Sequence, residues 1–160
     1  MSASVIIRSA KSNDARSLLA LVKRLARESD TITVNQHLNQ IAVNDEAHQL
    51  SVIERSGSYA VIVAQLSRRL IGIATVRSSG QKTGELGLAV LRRYWNHGLG
   101  TELVKSTLEW FKNHSQLNQL WLIVKRRNRA ALHVYTKCGF KIIGKVDFHR
   151  IPVIKMAIKN

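Results

Sequence analysis

Apolar positions along the chain follow two periods, and each period marks a different kind of element. Val5, Ile6 and Ile7 are β-branched and predict a first strand, after which Ser12, Asn13 or Asp14 can cap a helix. Leu18, Leu21, Val22 and Leu25 recur at helical spacing, so residues 14–28 predict an amphipathic helix. Residues 30–42 carry no clean period. A short helix is expected over residues 45–54, with Gly57 as its stop. Two apolar runs, Tyr59 to Gln65 and Leu70 to Val76, are separated by four residues and predict a hairpin, and Ser78 to Gln81 turns the chain again. In the next strand, Glu85 to Val90, the residues Leu86, Leu88 and Val90 share one face while Gly87 and Ala89 leave the other face small.

A helix is predicted from Gly98 to Lys112, with Leu99, Leu103, Leu108 and Phe111 as core candidates. The apolar strand Leu120 to Val124 follows. Asn128 is suited to cap a last helix, which runs to Lys137 and stops at Gly139. Phe140 to Ile143 and Pro152 to Ile158 read as closing strands, antiparallel neighbours across the loop Asp147 to Ile151. No internal repeat or low-complexity segment interrupts this order, and the 160 residues, 45% of them hydrophobic, predict one domain, residues 5–160.

The strand ending at Val90 feeds the run Arg92-Arg93-Tyr94-Trp95-Asn96-His97-Gly98-Leu99-Gly100-Thr101, a basic glycine loop that opens a helix. Glycines let a ligand approach the backbone, and the first amides of a helix lack partners inside it, so such a loop can hold pyrophosphate. Arg92, Arg93 and His97 add positive potential to that of the helix dipole. Two glycines alone are equally compatible with an ordinary turn.

A second motif shifts the balance. Asn128, Ala131, Tyr135, Lys137, Gly139 and Phe140 match N-x-x-A-x-x-x-Y-x-K-x-G-F. Together with the loop of form (Q/R)-x-x-G-x-(G/A), this resembles the GNAT superfamily of acetyl-CoA-dependent N-acetyltransferases. Trp95 stands where that family usually has Gln or Arg, and some branches carry a similar Tyr-Trp pair before the glycines. The resemblance implies an α/β (α+β) fold: a single domain with a central mixed, mostly antiparallel twisted sheet of about six to seven strands flanked by about four helices. It implies acetyl-CoA as cosubstrate, and it carries cofactor contacts onto Leu88, Ala89, Val90, Arg93, Asn96, His97, Gly98, Leu99, Gly100, Thr101, Asn128, Ala131, Tyr135 and Lys137. In the family the strand before the loop is bulged and splays from its neighbour, leaving an open edge for the acyl-pantetheine arm. Gly87 is a candidate for that bulge, with a plain packing glycine as the alternative.

The implied reaction sets requirements of its own. An amine such as lysine, with a pKa of about 10.4, is protonated at pH 7 in all but about one molecule in two thousand, so a base or a water chain must remove the proton. Glu85 is the foremost candidate, an acid beside an apolar strand, with an exposed strand-end carboxylate as the other reading and Asp147 or Glu54 as competitors. A backbone amide near Val90 can stabilise charge on the carbonyl oxygen. Tyr135 holds the general-acid position, against the alternative of a core tyrosine beside Ala131 and Val134. Trp95 and Trp110 read as packing residues.

Twenty-five Lys and Arg against ten acids give a formal charge of +15, which favours anionic partners without identifying one. The excess concentrates around the motifs: twelve basic residues stand against three acids between Arg92 and Arg150. A basic nucleic-acid-binding module is the alternative on charge, but aromatic residues do not interleave the basic ones and no recognition motif appears. A catalytically silent CoA-binding protein is the other alternative. Acceptor amines range from small molecules to proteins, and a homodimer is compatible with the edge strands of such folds. The histidines show no zinc-like spacing with Cys138, so no metal is expected. The single cysteine, the short N-terminal apolar run and the lack of a membrane-length stretch predict a soluble, cytoplasmic protein.

Overall fold

The computed structural model describes residues 4–28 and 57–160. The aperiodic stretch 30–42, the short helix expected over 45–54 and the competing base Glu54 lie outside them. Seven strands form one mixed sheet: β1 (Val5–Ser9), β2 (Ala60–Leu66), β3 (Arg69–Gly80), β4 (Thr83–Val90), β5 (Gln119–Lys125), β6 (Lys141–Phe148) and β7 (Ile151–Lys159), in the order β1-β2-β3-β4-β5-β7-β6. Three α-helices accompany it among the described residues: α1 (Ala15–Glu28), α2 (Leu99–His114) and α3 (Arg129–Lys137).

Every neighbouring pair is antiparallel except β4 and β5. A parallel pair needs a crossover, and α2 supplies it. Its apolar side covers one face of the sheet, burying Leu99, Leu103, Leu108 and Phe111 as their spacing predicts. Leu103 approaches so closely that a Cβ on Gly72 of β3 would stand 3.1 Å from its Cδ1. On the opposite face of β3, Ile71 and Ile73 are fully buried and α1 packs with Leu18, Leu21, Val22 and Leu25. Each such side chain contributes about 1.5–3 kcal/mol through its removal from water. β5 alternates strictly: Leu120, Leu122 and Val124 are buried, whereas Trp121, Ile123 and Lys125 on the other face are half-buried.

Two turns differ from the sequence reading. β3 continues to Gly80, so the chain reverses at Gln81 and Lys82, where Lys82 takes φ 57°. The hairpin between β6 and β7 is tight rather than a long loop: Phe148 pairs with Ile151, and His149 and Arg150 between them both adopt left-handed backbone, φ 50° and 67°. Two consecutive left-handed residues match the twist of a two-residue hairpin.

Of the two readings of Gly87, the bulge is not found. β3 and β4 pair without a shift from Gly72–Val90 through Thr75–Gly87 to Ser78–Gly84, and the irregularity lies between Ser78 and Gly80. The splay arises elsewhere. β4 and β5 pair only at Thr83–Gln119, Gly84–Leu120 and Glu85–Trp121, and they separate beyond that point. Gly84 makes the close approach possible, since a Cβ there would stand 2.7 Å from Val76 Cγ1 and 2.8 Å from Leu117 Cδ1.

Candidate active site

The separation of β4 from β5 leaves one edge of β4 open from Leu86 to Val90. The phase of the ladder decides what that edge presents. Leu91 N–H donates to Ile71 O at 2.9 Å, so position 91 and every second residue before it bond to β3. Leu86, Leu88 and Val90 therefore direct their amides and carbonyls into the groove. Leu88, Ala89 and Val90 are half-buried there.

At the end of β4 the chain makes a short turn, Arg92–Tyr94, and enters the glycine loop. Asn96 takes φ 66° and Gly98 φ 79°, and Gly98 occupies the N-cap position of α2. A Cβ on Gly98 would meet nothing within 4 Å, so the backbone before the first helical turn is open to a ligand. Gly100 and Thr101 lie in that turn, half-buried, with Leu88 Cδ2 3.7 Å from a Cβ placed on Gly100. The glycine loop and the open strand edge thus meet. Arg93 and His97 are exposed around the loop. Arg92 is committed elsewhere: its amide donates to Glu28 Oε1 at 2.8 Å and its guanidinium to Glu28 O at 2.6 Å, which docks the end of α1 on the turn.

Trp95 departs from its expected packing role. It is 49% exposed, its indole N–H donates to Val90 O at 2.6 Å, and the Arg92 guanidinium lies 5.6 Å from its ring centroid. Trp110, by contrast, packs against the core.

α3 packs against α2. Asn128 Oδ1 accepts from Ala131 N–H at 3.1 Å, an N-cap bond that its position predicts. Ala131 is half-buried and Lys137 exposed. The C-terminal end of α3 comes against the first turns of α2, where Lys105, Lys137 and Glu102 act on Cys138; burial is the largest influence and raises the thiol pKa. Tyr135 is buried, with its ring edge-to-face with Phe140 at 5.8 Å between centroids. Burial raises its pKa well above the usual phenol value, so the side chain is neutral throughout the physiological range.

Glu85 stands at the fork itself, half-buried, between its Cα partners Arg77 on β3 and Trp121 on β5. The sequence reading missed the polar cluster beside it. Trp121 Nε1 donates to Ser79 Oγ at 2.7 Å, and Lys155 Nζ lies 4.4 Å from the Trp121 ring centroid. Alternation within β5 signals only that Trp121 lies on the face opposite Leu120 and Leu122; the register of β4, β5 and β7 brings it beside Glu85, with Ser79 and Lys155. Asp147 pairs with Pro152 at the far edge of the sheet, three strands from Glu85 in sheet order. Among the described residues no group of three or more His, Cys, Asp or Glu could hold a metal ion, and no helix is long and apolar enough to cross a membrane.

A family model for the acetyltransferase (GNAT) family matches residues 24–140, which include the fork, the glycine loop and α3. The chain belongs to this family. Spermidine N(1)-acetyltransferase of Escherichia coli K12 is 27% identical over 104 residues, covering 65% of this chain and 51% of that protein. The chain therefore spans about half the length of the curated relatives it matches. An acetyltransferase of the GNAT family from Streptococcus pneumoniae superposes with a TM-score of 0.86 at 27% identity, covering 98% of this chain and all of that one. Ribosomal-protein-S5-alanine acetyltransferase from Vibrio fischeri shares the fold, with a TM-score of 0.80 at 16% identity over 98% of this chain and 93% of that one. These GNAT folds extend past the matched segment and include β1, β6 and β7 of the present chain.

Proposed function

We propose that the protein, acting through a domain of residues 5–160, transfers the acetyl group of acetyl-CoA to a primary amine by direct attack in a ternary complex. One observation carries this reading: β4 and β5 separate just beyond Glu85 and Trp121, so an edge of backbone groups not bonded to β5 leads from an acid to the glycine loop at a helix N-terminus. Those features suit an elongated amide-bearing ligand with a phosphorylated end. Arg93, Asn96, His97, Gly98, Leu99, Gly100 and Thr101 would hold the pyrophosphate, and Leu88, Ala89 and Val90 the arm. Asn128, Ala131, Tyr135 and Lys137 would flank it from α3. Bound there, acetyl-CoA supplies an activated thioester carbonyl and a thiolate leaving group.

Glu85 accepts the ammonium proton, directly or through one water, and frees the nitrogen lone pair. The nitrogen adds to the thioester carbonyl to form the C–N bond, the C–S bond then breaks, and the second nitrogen proton leaves through water, so that the N-acetyl amide and CoA are the products. The Val90 amide faces the groove and stabilises negative charge on the carbonyl oxygen. Tyr135 donates a hydrogen bond to the departing sulfur. Burial makes it a poorer acid than a free phenol, so stabilisation of the thiolate outweighs complete proton transfer. Acetyltransferase names among the relatives support the reaction, and the spermidine enzyme supports an amine acceptor. The lone Cys138 supports a reducing, cytoplasmic location.

The direct test is an acetyl-CoA-dependent screen of small and protein amines read by free-thiol release. Acceptor-dependent thiol release with a matching N-acetyl product is the expected result. CoA binding without turnover on any amine would leave a silent CoA-binding protein.

A further inference from the structure

The half-open face of β5 and β7 beside Glu85 has a charge pattern that bears on the acceptor. Cα partners across a ladder point to the same side of a sheet, so Arg77, Glu85 and Trp121 share one face with Lys155, the partner of Ile123, and with Lys125 two residues further along β5. Lys141 joins them through Ala157. Glu85 is the only acid that the described strands place on this face. The Trp121 ring holds the Lys155 ammonium at 4.4 Å, so this cation belongs to the surface rather than sweeping free of it. The basic character continues past the strand ends. Arg126 N–H donates to Pro152 O at 3.0 Å, which brings the loop after β5 against the start of β7, next to the turn in which Arg150 is exposed.

Resting on the acetyltransferase reading above, we propose that the acceptor is a polypeptide amine followed by acidic residues, lying extended over β5 and β7 from Glu85 toward Arg150. The charge of the described strands disfavours the opposite class. A polyamine brings several ammonium groups to a face on which the described strands carry Arg77, Lys125, Lys141 and Lys155 against one carboxylate, and like charges repel there. Length argues for a chain rather than a small anionic amine: Arg150 and Lys155 are separated by five residue steps, roughly 17 Å at about 3.3 Å per residue. About five extended acceptor residues span that distance, and a free amino acid does not. Glu85 then meets the one cationic group of the acceptor, its amine, while the following carboxylates meet the lysines and arginines.

The test uses three peptides with the same N-terminal residue and tails of Asp/Glu, Gln or Lys, together with spermidine and a single-stranded oligonucleotide. Binding to the full chain with CoA present is read by fluorescence anisotropy, and turnover by thiol release. The acidic peptide is expected to bind at least about tenfold more tightly than the Gln peptide, with the preference shrinking as salt rises. Lys155→Glu combined with Arg150→Glu should reverse the order of the acidic and Lys peptides while leaving the CoA-induced rise in Tm unchanged, which also shows that the variant folds. Preference for spermidine or the Lys peptide, an unchanged order in the double variant, or tighter binding of the oligonucleotide through the same residues would overturn the proposal. Salt-sensitive acidic-peptide binding that the double variant loses, without acetylation of any acceptor, would uphold the surface and remove the acetyl-transfer reading instead.

Discussion

The indole N–H of Trp95 donates to the backbone carbonyl of Val90 at 2.6 Å and ties the glycine loop to the last residue of β4. That carbonyl points into the groove because positions 91 and 89 are the ones bonded to β3. The bond closes the end of the open edge and sets where the loop begins, so Trp95 contributes through its donor although it replaces the Gln or Arg usual at this position. Trp95→Phe keeps the ring and removes the donor. It should weaken CoA binding roughly fivefold, corresponding to about 1 kcal/mol for one hydrogen bond, while Trp95→Gln should recover most of the loss. Calorimetric CoA titrations of the two variants decide this, and equal affinities in both would reduce the tryptophan to loop packing.

Gly98 separates backbone strain from ligand exclusion. At φ 79° any side chain is strained, yet a Cβ there meets nothing within 4 Å, so Gly98→Ala should fold with a cost of about 1 kcal/mol. Gly98→Glu places bulk and negative charge where pyrophosphate is expected and should abolish the CoA-induced rise in Tm, which native-state binding otherwise produces. A normal shift in the glutamate variant moves the phosphate site elsewhere.

Tyr135→Phe deletes one hydroxyl from a buried ring. The variant should bind CoA nearly as wild type does and lower kcat by roughly 10² to 10⁴ if the hydroxyl serves the leaving sulfur. Single-turnover rates with an identified acceptor measure this, and undiminished turnover assigns Tyr135 to packing against Phe140 alone.

Glu85→Gln preserves shape and removes basicity at the fork. With an acceptor in hand, kcat/KM should fall at neutral pH and partly recover as rising pH deprotonates the amine in solution. A pH–rate profile parallel to wild type with little loss of rate points to a water-only route.

The Arg8–Asp14 pair makes a prediction about stability. Arg8 donates to both carboxylate oxygens at 2.7 and 2.8 Å, and this bond, the largest influence, lowers the Asp14 pKa in the folded state. A depressed folded pKa stabilises the native state above the unfolded value of about 3.9, and the stabilisation is lost as pH falls through the folded value. Asp14→Asn should therefore lower Tm at pH 6 and narrow its gap to wild type as the pH falls below about 4. Thermal melts across that range check the sign, and a gap that is constant with pH excludes the pair as its source.

Much of the fold was legible because local chemistry determines it. Leu18, Leu21, Val22 and Leu25, and Leu99, Leu103, Leu108 and Phe111, are buried as their helical spacing requires, and Asn128 caps its helix because an amide oxygen three residues before an unpartnered N–H is a local geometry. The glycine loop and the N-x-x-A-x-x-x-Y-x-K-x-G-F run likewise sit in short contiguous segments, so the family could be read from them. Side-chain identity says nothing about register between strands far apart in sequence. The fork at Glu85 and Trp121 depends on β4 and β5 pairing over three residues and no more, Gly87 proved to lie in unbroken pairing rather than a bulge, and Trp95 reaches Val90 only because the loop folds back on the strand. Lys155 meets Trp121 across two strands whose order, β5 beside β7, is a property of the whole sheet. Local periodicity and capping are decided within a few residues, whereas the open edge, the acid at its head and the basic face beside it arise where distant segments are brought together by burial of a shared core.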